Sequence, residues 1–305
     1  MSDLKIKIWG KEFKNPIWSA SGCFGYGTEL ADFFPPSILG AVVTKGISLE
    51  PWKGNPPPRV VETPSGMINS IGLENVGFEK FAAEKMPVLR GIGSRVVVNF
   101  LGHSEEEYEE LARRLGGLEG ADALELNLSC PNVNSGGLTF GANPKAASSI
   151  VAKVKAHCAN IPLIAKLSPN TGDIAGMARA CEDAGADGIS LVNTLLAMAI
   201  DVRTRRPILK RNVGGLSGPA IKPAALRMTY EAAKAVKIPV IGMGGISSGE
   251  DVAAFMIAGA SAAQVGTAAI ADPMAIPRII EEFAQFCREE GVGDVSTLIK
   301  SLKPY

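Results

Sequence analysis

No sign of charge prevails in this 305-residue chain, where 31 Lys and Arg residues stand against 31 Asp and Glu. Without a global field to draw it onto nucleic acid or an anionic bilayer, small-molecule chemistry becomes the leading expectation. The sequence also lacks an apolar run long enough to span a membrane. Its N-terminus alternates polar and apolar residues from Leu4 to Trp9 instead of presenting a signal core, so a cytoplasmic location with no membrane partner is expected. The five cysteines, at 23, 130, 158, 181 and 287, form no close pairs and show no metal-ligand spacing. That scatter argues against a disulfide framework, a zinc site or an iron–sulfur site, and suits a reducing compartment. His103 and His157 are the only histidines. Neither has an acidic orienter at recognisable spacing, which argues against a histidine triad. His103 reads as a loop hydrogen-bonder and His157 as a residue near a helix end. No composition shift, long linker or low-complexity stretch marks a boundary, so a single domain over residues 1–305 is expected, large enough to bury a sizeable core.

What the chain does have is rhythm. After a hairpin-like opening to Phe13, short apolar runs alternate with glycine-bearing or polar turns and longer helix-like segments. The runs are 17–20, 41–44, 96–99, 123–126, 163–165, 188–192, 240–242 and 262–265. Helical patterns follow at 104–118, 143–158, 173–184, 223–236, 248–258 and 272–290, the last opening on Asp272 and Pro273 as a cap and first-turn proline. The acidic start at Glu105 to Glu110 and the basic residues Arg113 and Arg114 suit a solvated helix aligned with its dipole. Alternating βα units, with strands apolar on both faces, predict a parallel sheet buried on both sides. Eight such units in this length favour an α/β fold of the closed (β/α)₈ TIM-barrel type, with a short N-terminal hairpin. Two irregular segments, 46–77 and 131–141, are expected to lie as long loops over the C-terminal mouth.

In a barrel the C-terminal strand ends converge on one mouth. Here they carry Ser19 and Ser21, Lys45, Asn99, Asn127 with Cys130, Lys166, Asn193 with Thr194, Gly244-Gly245, and Gly266-Thr267. Two ammonium groups, three carboxamides, hydroxyls and a thiol suit a polar, electron-rich ligand. No acid or histidine stands among these positions, which speaks against metal coordination and carboxylate-pair hydrolysis. The glycines at 242, 244, 245 and 266 precede helices; they read either as tight turns or as backbone amides cradling a phosphate, and two such turns on the last adjacent strands favour phosphate. Dinucleotide spacing is absent, since Ser247 stands at the third glycine position. Cys130 reads either as a packing residue or as an acid–base group. Pro131, Asn127 and Asn132 around it favour a loop thiol with chemistry to do, and Cys23 in Ser21-Gly22-Cys23-Phe24-Gly25 is its rival at the same mouth. Cys158, Cys181 and Cys287 fall in helix-like segments and read as packing residues.

Taken as a set, these positions resemble the dihydroorotate dehydrogenase family, class 1, over nearly the whole chain. The resemblance rests on Ser19-Ala20-Ser21-Gly22, Thr44-Lys45-Gly46, Gly54-Asn55-Pro56 through Pro58-Arg59, and Asn69-Ser70-Ile71-Gly72-Leu73. It extends through Asn127 to Asn132, Gly214-Gly215-Leu216-Ser217-Gly218, Gly244-Gly245 and Gly266-Thr267. It implies a flavoprotein oxidoreductase that carries FMN and oxidises dihydroorotate to orotate in pyrimidine biosynthesis. Cys130 then matches the base that removes the C5 proton while hydride leaves C6 for the flavin. Lys45, Asn69, Ser70, Ile71, Gly72, Leu73, Asn127, Asn132, Asn193 and Thr194 match substrate-contacting positions. FMN-contacting positions match at Ser21, Lys45, Gly46, Asn99, Asn127, Lys166, Val192, Gly218, Gly244, Gly245, Gly266 and Thr267, with Lys166 beside the ring to stabilise reduced flavin.

The stretches Ser21 to Gly27 and Gly214 to Pro223 look more like class 1B than class 1A. Class 1B implies a homodimer of this chain joined to an FAD and iron–sulfur subunit in a heterotetramer that passes electrons to NAD⁺. Class 1A, a homodimer using fumarate, is the nearest alternative. A dihydrouridine synthase-like flavin barrel and a non-catalytic phosphate-binding barrel are more distant; the balanced charge disfavours the first, and Cys130 with two mouth lysines disfavours the second.

Overall fold

The computed structural model describes residues 3–129, 141, 143–158 and 160–305. Its first element is a hairpin of β1 (Ile6–Ile8) and β2 (Lys11–Phe13). Trp9 and Gly10 turn it with φ of 52° and 74°, the left-handed pair that matches the twist of a two-residue hairpin. Phe13 stacks on Trp18 with ring centroids 4.9 Å apart. The Trp9 indole N–H donates to the Asp187 carbonyl at 2.7 Å. The hairpin thereby closes one end of the molecule with aromatic surface.

Among the described residues, fourteen further strands follow. They are β3 (Ile17–Ser19), β4 (Ala41–Val43), β5 (Val60–Thr63), β6 (Gly66–Asn69), β7 (Arg95–Phe100), β8 (Ala123–Asn127) and β9 (Leu163–Lys166). Next come β10 (Gly188–Leu191), β11 (Leu195–Ala197), β12 (Ile200–Asp201), β13 (Arg206–Pro207), β14 (Gly214–Ser217), β15 (Val240–Met243) and β16 (Ala262–Val265). Eight of these close into a parallel barrel in chain order, β3-β4-β7-β8-β9-β10-β15-β16. Each of the eight apolar runs read from the sequence is one barrel strand. Their side chains are buried inside and out, as the even run of Ala, Val, Ile and Leu requires. Several strands extend one residue beyond the apolar run, so Asn127 and Lys166 belong to the ladder itself.

The helices pack outside the ring. Short α1 (Phe78–Lys80) and α2 (Met86–Leu89) flank a π-helical turn over Phe81–Lys85. The main helices are α3 (Glu105–Gly116), α4 (Pro144–Lys155), α5 (Ile174–Asp183), α6 (Lys222–Ala235) and α7 (Gly249–Ala258), followed by α8 (Thr267–Ala271) and α9 (Ala275–Glu289). Ser104, Asn143, Asp173 and Ser248 cap α3, α4, α5 and α7, each side chain accepting from a backbone N–H three residues on. Each such cap is worth about 1 kcal/mol, which explains why these helices start where the sequence marks them. The last helix departs from expectation. Asp272 accepts from Met274 N at 2.9 Å within a preceding turn, and α9 begins only at Ala275.

The segment 46–77 is also more ordered than a loop. It carries β5 and β6, which join β14 and β11 in a four-stranded antiparallel sheet, ordered β11-β14-β6-β5, that roofs the C-terminal mouth.

Candidate active site under the antiparallel roof

Between the strand ends and the roof lies a cavity of about 670 Å³, within the usual range for a small-molecule or cofactor site. Lining it are Ser21, Lys45, Gly46, Asn69, Ser70, Ile71, Gly72, Leu73, Asn99, Asn127, Lys166, Val192, Asn193, Thr194, Gly218, Gly244, Gly245, Gly266 and Thr267. Ser19 and Gly242, inside β3 and β15, do not reach it; Ser19 Oγ instead accepts from Val43 N at 3.0 Å. Cys130 and Asn132 lie outside the described residues, as does the segment 131–141, expected to be a loop, except for Gly141. Ser129, the neighbour of Cys130 in the chain, faces the cavity.

The floor holds a group the strand-end reading missed. Glu125, in β8 and fully buried, accepts from Asn99 Nδ2 at 2.7 Å and from Gln264 Nε2 at 2.8 Å, and pairs with Lys166 Nζ at 3.4 Å. The absence of acid holds for the exposed strand ends but not one layer below them. With their nitrogens given to the carboxylate, Asn99 Oδ1 and Gln264 Oε1 are buried acceptors that no group among the described residues meets. A buried polar atom left so costs about 1–3 kcal/mol, which points to a ligand with N–H donors. Gly46 matters here because a Cβ would stand 2.8 Å from Asn99 Oδ1.

Beside this floor, a second polar set converges from β8 and the β10 end. Asn127 Oδ1 accepts from Ser129 N at 3.1 Å, while Asn193 Nδ2 donates to Ser129 Oγ at 2.9 Å and reaches Asn127 Oδ1 at 3.5 Å. Tyr108 in α3 donates to the Asn127 carbonyl at 2.7 Å and pins the strand end. Asn69, on the roof strand β6, donates to the Gly215 carbonyl at 3.4 Å. Arg59 and Glu74 form an ion pair at 2.6 Å on the rim. Neither was singled out from the sequence for a role, and Arg59 adds a third cation to the cavity wall.

At the end of β15 the glycines meet the tight-turn reading by their backbone geometry. Gly244 and Gly245 take φ of 122° and 78°, which bars other residues, and a Cβ on Gly245 would come within 2.7 Å of Lys222 and 2.8 Å of the Gly218 carbonyl. Successive glycines of this kind present backbone N–H groups toward an anion. Asp251 secures the turn that follows. Burial alone would raise its pKa, but hydrogen bonds from Lys222 and from Ser247 N outweigh it and hold the carboxyl below its usual range.

Cys23 also lines the cavity, yet burial pushes its thiol up to about 11 despite the opposing pull of Lys166. A thiol so desolvated is a poor base near neutrality. Cys158, Cys181 and Cys287 are buried among helices, in agreement with a packing role. His103 stacks on Trp52 at 3.8 Å between centroids, His157 lies 3.9 Å from Glu109, and neither reaches the cavity. Among the described residues no cluster of His, Cys, Asp and Glu could hold a metal ion, and no helix is long and apolar enough to cross a membrane.

The chain is similar to known proteins over almost all its length. Residues 3–287 match the sequence profile of a family described as dihydroorotate dehydrogenase. The chain is 51% identical over 301 residues to the dihydroorotate dehydrogenase B (NAD(+)) catalytic subunit of Citrifermentans bemidjiense, covering 99% of this chain and 98% of that one. It is 52% identical over 300 residues to the protein of the same name from Geotalea uraniireducens, covering 98% of each. A crystal structure of DHODH from Eimeria tenella in complex with ferulenol superposes with a TM-score of 0.80 at 22% identity, over 98% of this chain and 88% of that chain. At that identity the likeness speaks for the barrel fold alone.

Proposed function

This chain belongs to the dihydroorotate dehydrogenase family, and we propose that it is the catalytic subunit of an NAD⁺-linked, class 1B enzyme that oxidises dihydroorotate to orotate. The family uses a flavin, and FMN is the form that suits the cavity, since a single phosphate matches the glycine cradle at 244, 245 and 266. The observation that carries the reading is the cavity floor: buried amide oxygens with no partner beside a lysine, next to that cradle. FMN, when bound, supplies the hydride acceptor. The chain's own residues do the rest. Lys45, Asn69, Asn127, Asn193 and Thr194, with Ser70 to Leu73 and Asn132, would hold the carboxylate and pyrimidinedione in one orientation. Cys130 takes the proton from C5 as the C6 hydride leaves, so that the C5–C6 bond becomes double. Lys166, buried in the cavity floor, would offset negative charge developing on a bound flavin.

On this reading residues 1–305 are one FMN-binding barrel, and electrons leave through a partner subunit bearing FAD and an iron–sulfur cluster. The name "catalytic subunit" carried by the relatives supports such a partner. The assembly would be two copies of each chain. The test is an assay of the purified chain with its flavin. Dihydroorotate should bleach the flavin, and NAD⁺ should be reduced only after the partner subunit is added. Turnover with fumarate and the isolated chain alone would overturn the NAD⁺-linked assignment in favour of class 1A.

A further inference from the structure

Glu125 does not line the cavity, yet the three groups it holds all do. Its Oε1 receives Asn99 and Lys166 and its Oε2 receives Gln264. A primary amide presents donors on one side and its acceptor on the other, and rotating it about its last bond exchanges them at little intrinsic cost. In Asn99 and Gln264 that freedom is gone, because each nitrogen is committed to the carboxylate. What the two amides have left to offer a ligand is therefore fixed in sign as carbonyl oxygen, with an ammonium beside them. Asn99, Gln264 and Lys166 are 1%, 1% and 5% exposed, so water cannot substitute for a partner lost from this set.

We propose that Glu125 is the positioning residue that fixes the hydrogen-bonding polarity of the cavity floor and, through its charge beside Lys166, sets how readily the bound flavin is reduced. This rests on the flavin reading of the cavity. The carboxylate offsets part of the ammonium's field where reduced flavin places its negative charge. Removing that offset favours the reduced form over the oxidised one, while disordering the amides weakens both.

The test uses FMN titrated into the full-length chain and its Glu125→Gln variant, with dissociation constants for oxidised and reduced FMN obtained from fluorescence and from the midpoint potential. The substitution keeps volume and removes the charge. Affinity for oxidised FMN should fall about tenfold, the cost of one mispaired buried polar group. The ratio of oxidised to reduced dissociation constants should rise about tenfold, as expected for a charge at several ångströms in a medium of intermediate dielectric. For a two-electron couple that ratio corresponds to about 30 mV toward easier reduction. A variant that melts earlier but binds FMN with the same affinity and ratio would make Glu125 merely structural and overturn the proposal. So would weaker binding with an unchanged ratio, as far as the charge is concerned. If Glu125→Gln does not fold, Gln264→Leu keeps the carboxylate and removes one acceptor; it should weaken FMN without changing the ratio, and unchanged FMN affinity would overturn the assigned polarity. Failure of the unaltered chain to bind FMN would instead remove the flavin reading itself.

Discussion

The two ends of the barrel use their polar side chains differently. At the N-terminal end, Asp122 accepts from Val96 N at 2.9 Å and Arg95 Nη1 at 3.0 Å, with Lys11 close by, and Asp187 accepts from Leu163 N at 2.7 Å and from Lys155. Asn15 there bonds to Ile17 N, Gly40 N and the Ile38 carbonyl. Each of these groups stitches neighbouring strands or loops together. At the C-terminal end, Ser70 Oγ, Asn99 Oδ1 and Gln264 Oε1 are buried without a partner among the described residues. Trp18 Nε1 aside, the polar groups named at the bottom are spent on the fold, while several at the top are left for a ligand. This is the division of labour expected of a barrel enzyme, with stability at the bottom and chemistry at the top.

Substitutions can break or sharpen that contrast. The largest effect is expected at the top. Cys130→Ala should keep FMN and lower turnover by about 10² to 10⁴, the usual contribution of a general base; unchanged steady-state turnover would remove Cys130 from the mechanism. Next, Gly245→Ala places a Cβ 2.7 Å from Lys222 at a positive φ. It should weaken FMN by about tenfold or more while changing riboflavin binding less. Equal losses for both ligands in paired titrations would mean that the turn does not serve phosphate.

At the bottom, Asp122→Ala should cost about 1–3 kcal/mol of stability in denaturant unfolding while leaving turnover per folded molecule unchanged. A matching fall in turnover would dissolve the distinction between the ends. The smallest effect is in pH. Burial raises the thiols of Cys23 to about 11 and of Cys158 and Cys181 to about 12, from a reference of 9.0. Folding therefore keeps protons that the unfolded chain releases near pH 9. The resulting stability is complete below that pH and is lost as pH climbs through about 11 to 12. Thermal midpoints should decline from pH 9 upward, and Cys181→Ala should flatten the decline; an equal slope in that variant would assign the loss to other groups.

The barrel was legible because its strands are unbroken aliphatic runs and because Ser104, Asn143, Asp173 and Ser248 announce their helices. The mouth was legible where polar residues end those runs. Glu125 and Gln264 were hidden by the same logic, since each is a single polar residue inside a run otherwise apolar. The signal was there in the period-2 alternation, which puts Glu125 on the same face of β8 as Asn127. The roof could not be read locally. Its central pair joins Asn69 to Gly215, 146 residues apart in the chain, and its strands are short and edged by proline and glycine. Cys130 and Asn132, outside the described residues, remain assignments of the sequence.

That roof has a consequence for descent. Its strands come as two pairs, β5 and β6 after barrel strand β4, and β11 and β14 after β10, and β4 and β10 stand four places apart in the eight-strand ring. Removing either pair would turn β6 or β14 from an inner strand into an unprotected edge above an open cavity. Two insertions rooted in opposite walls are thus one heritable unit. Lineages can be expected to lengthen, trim or exchange them together, and a chimera that takes one pair from a distant relative and keeps the other should assemble only where the Asn69–Gly215 seam still matches.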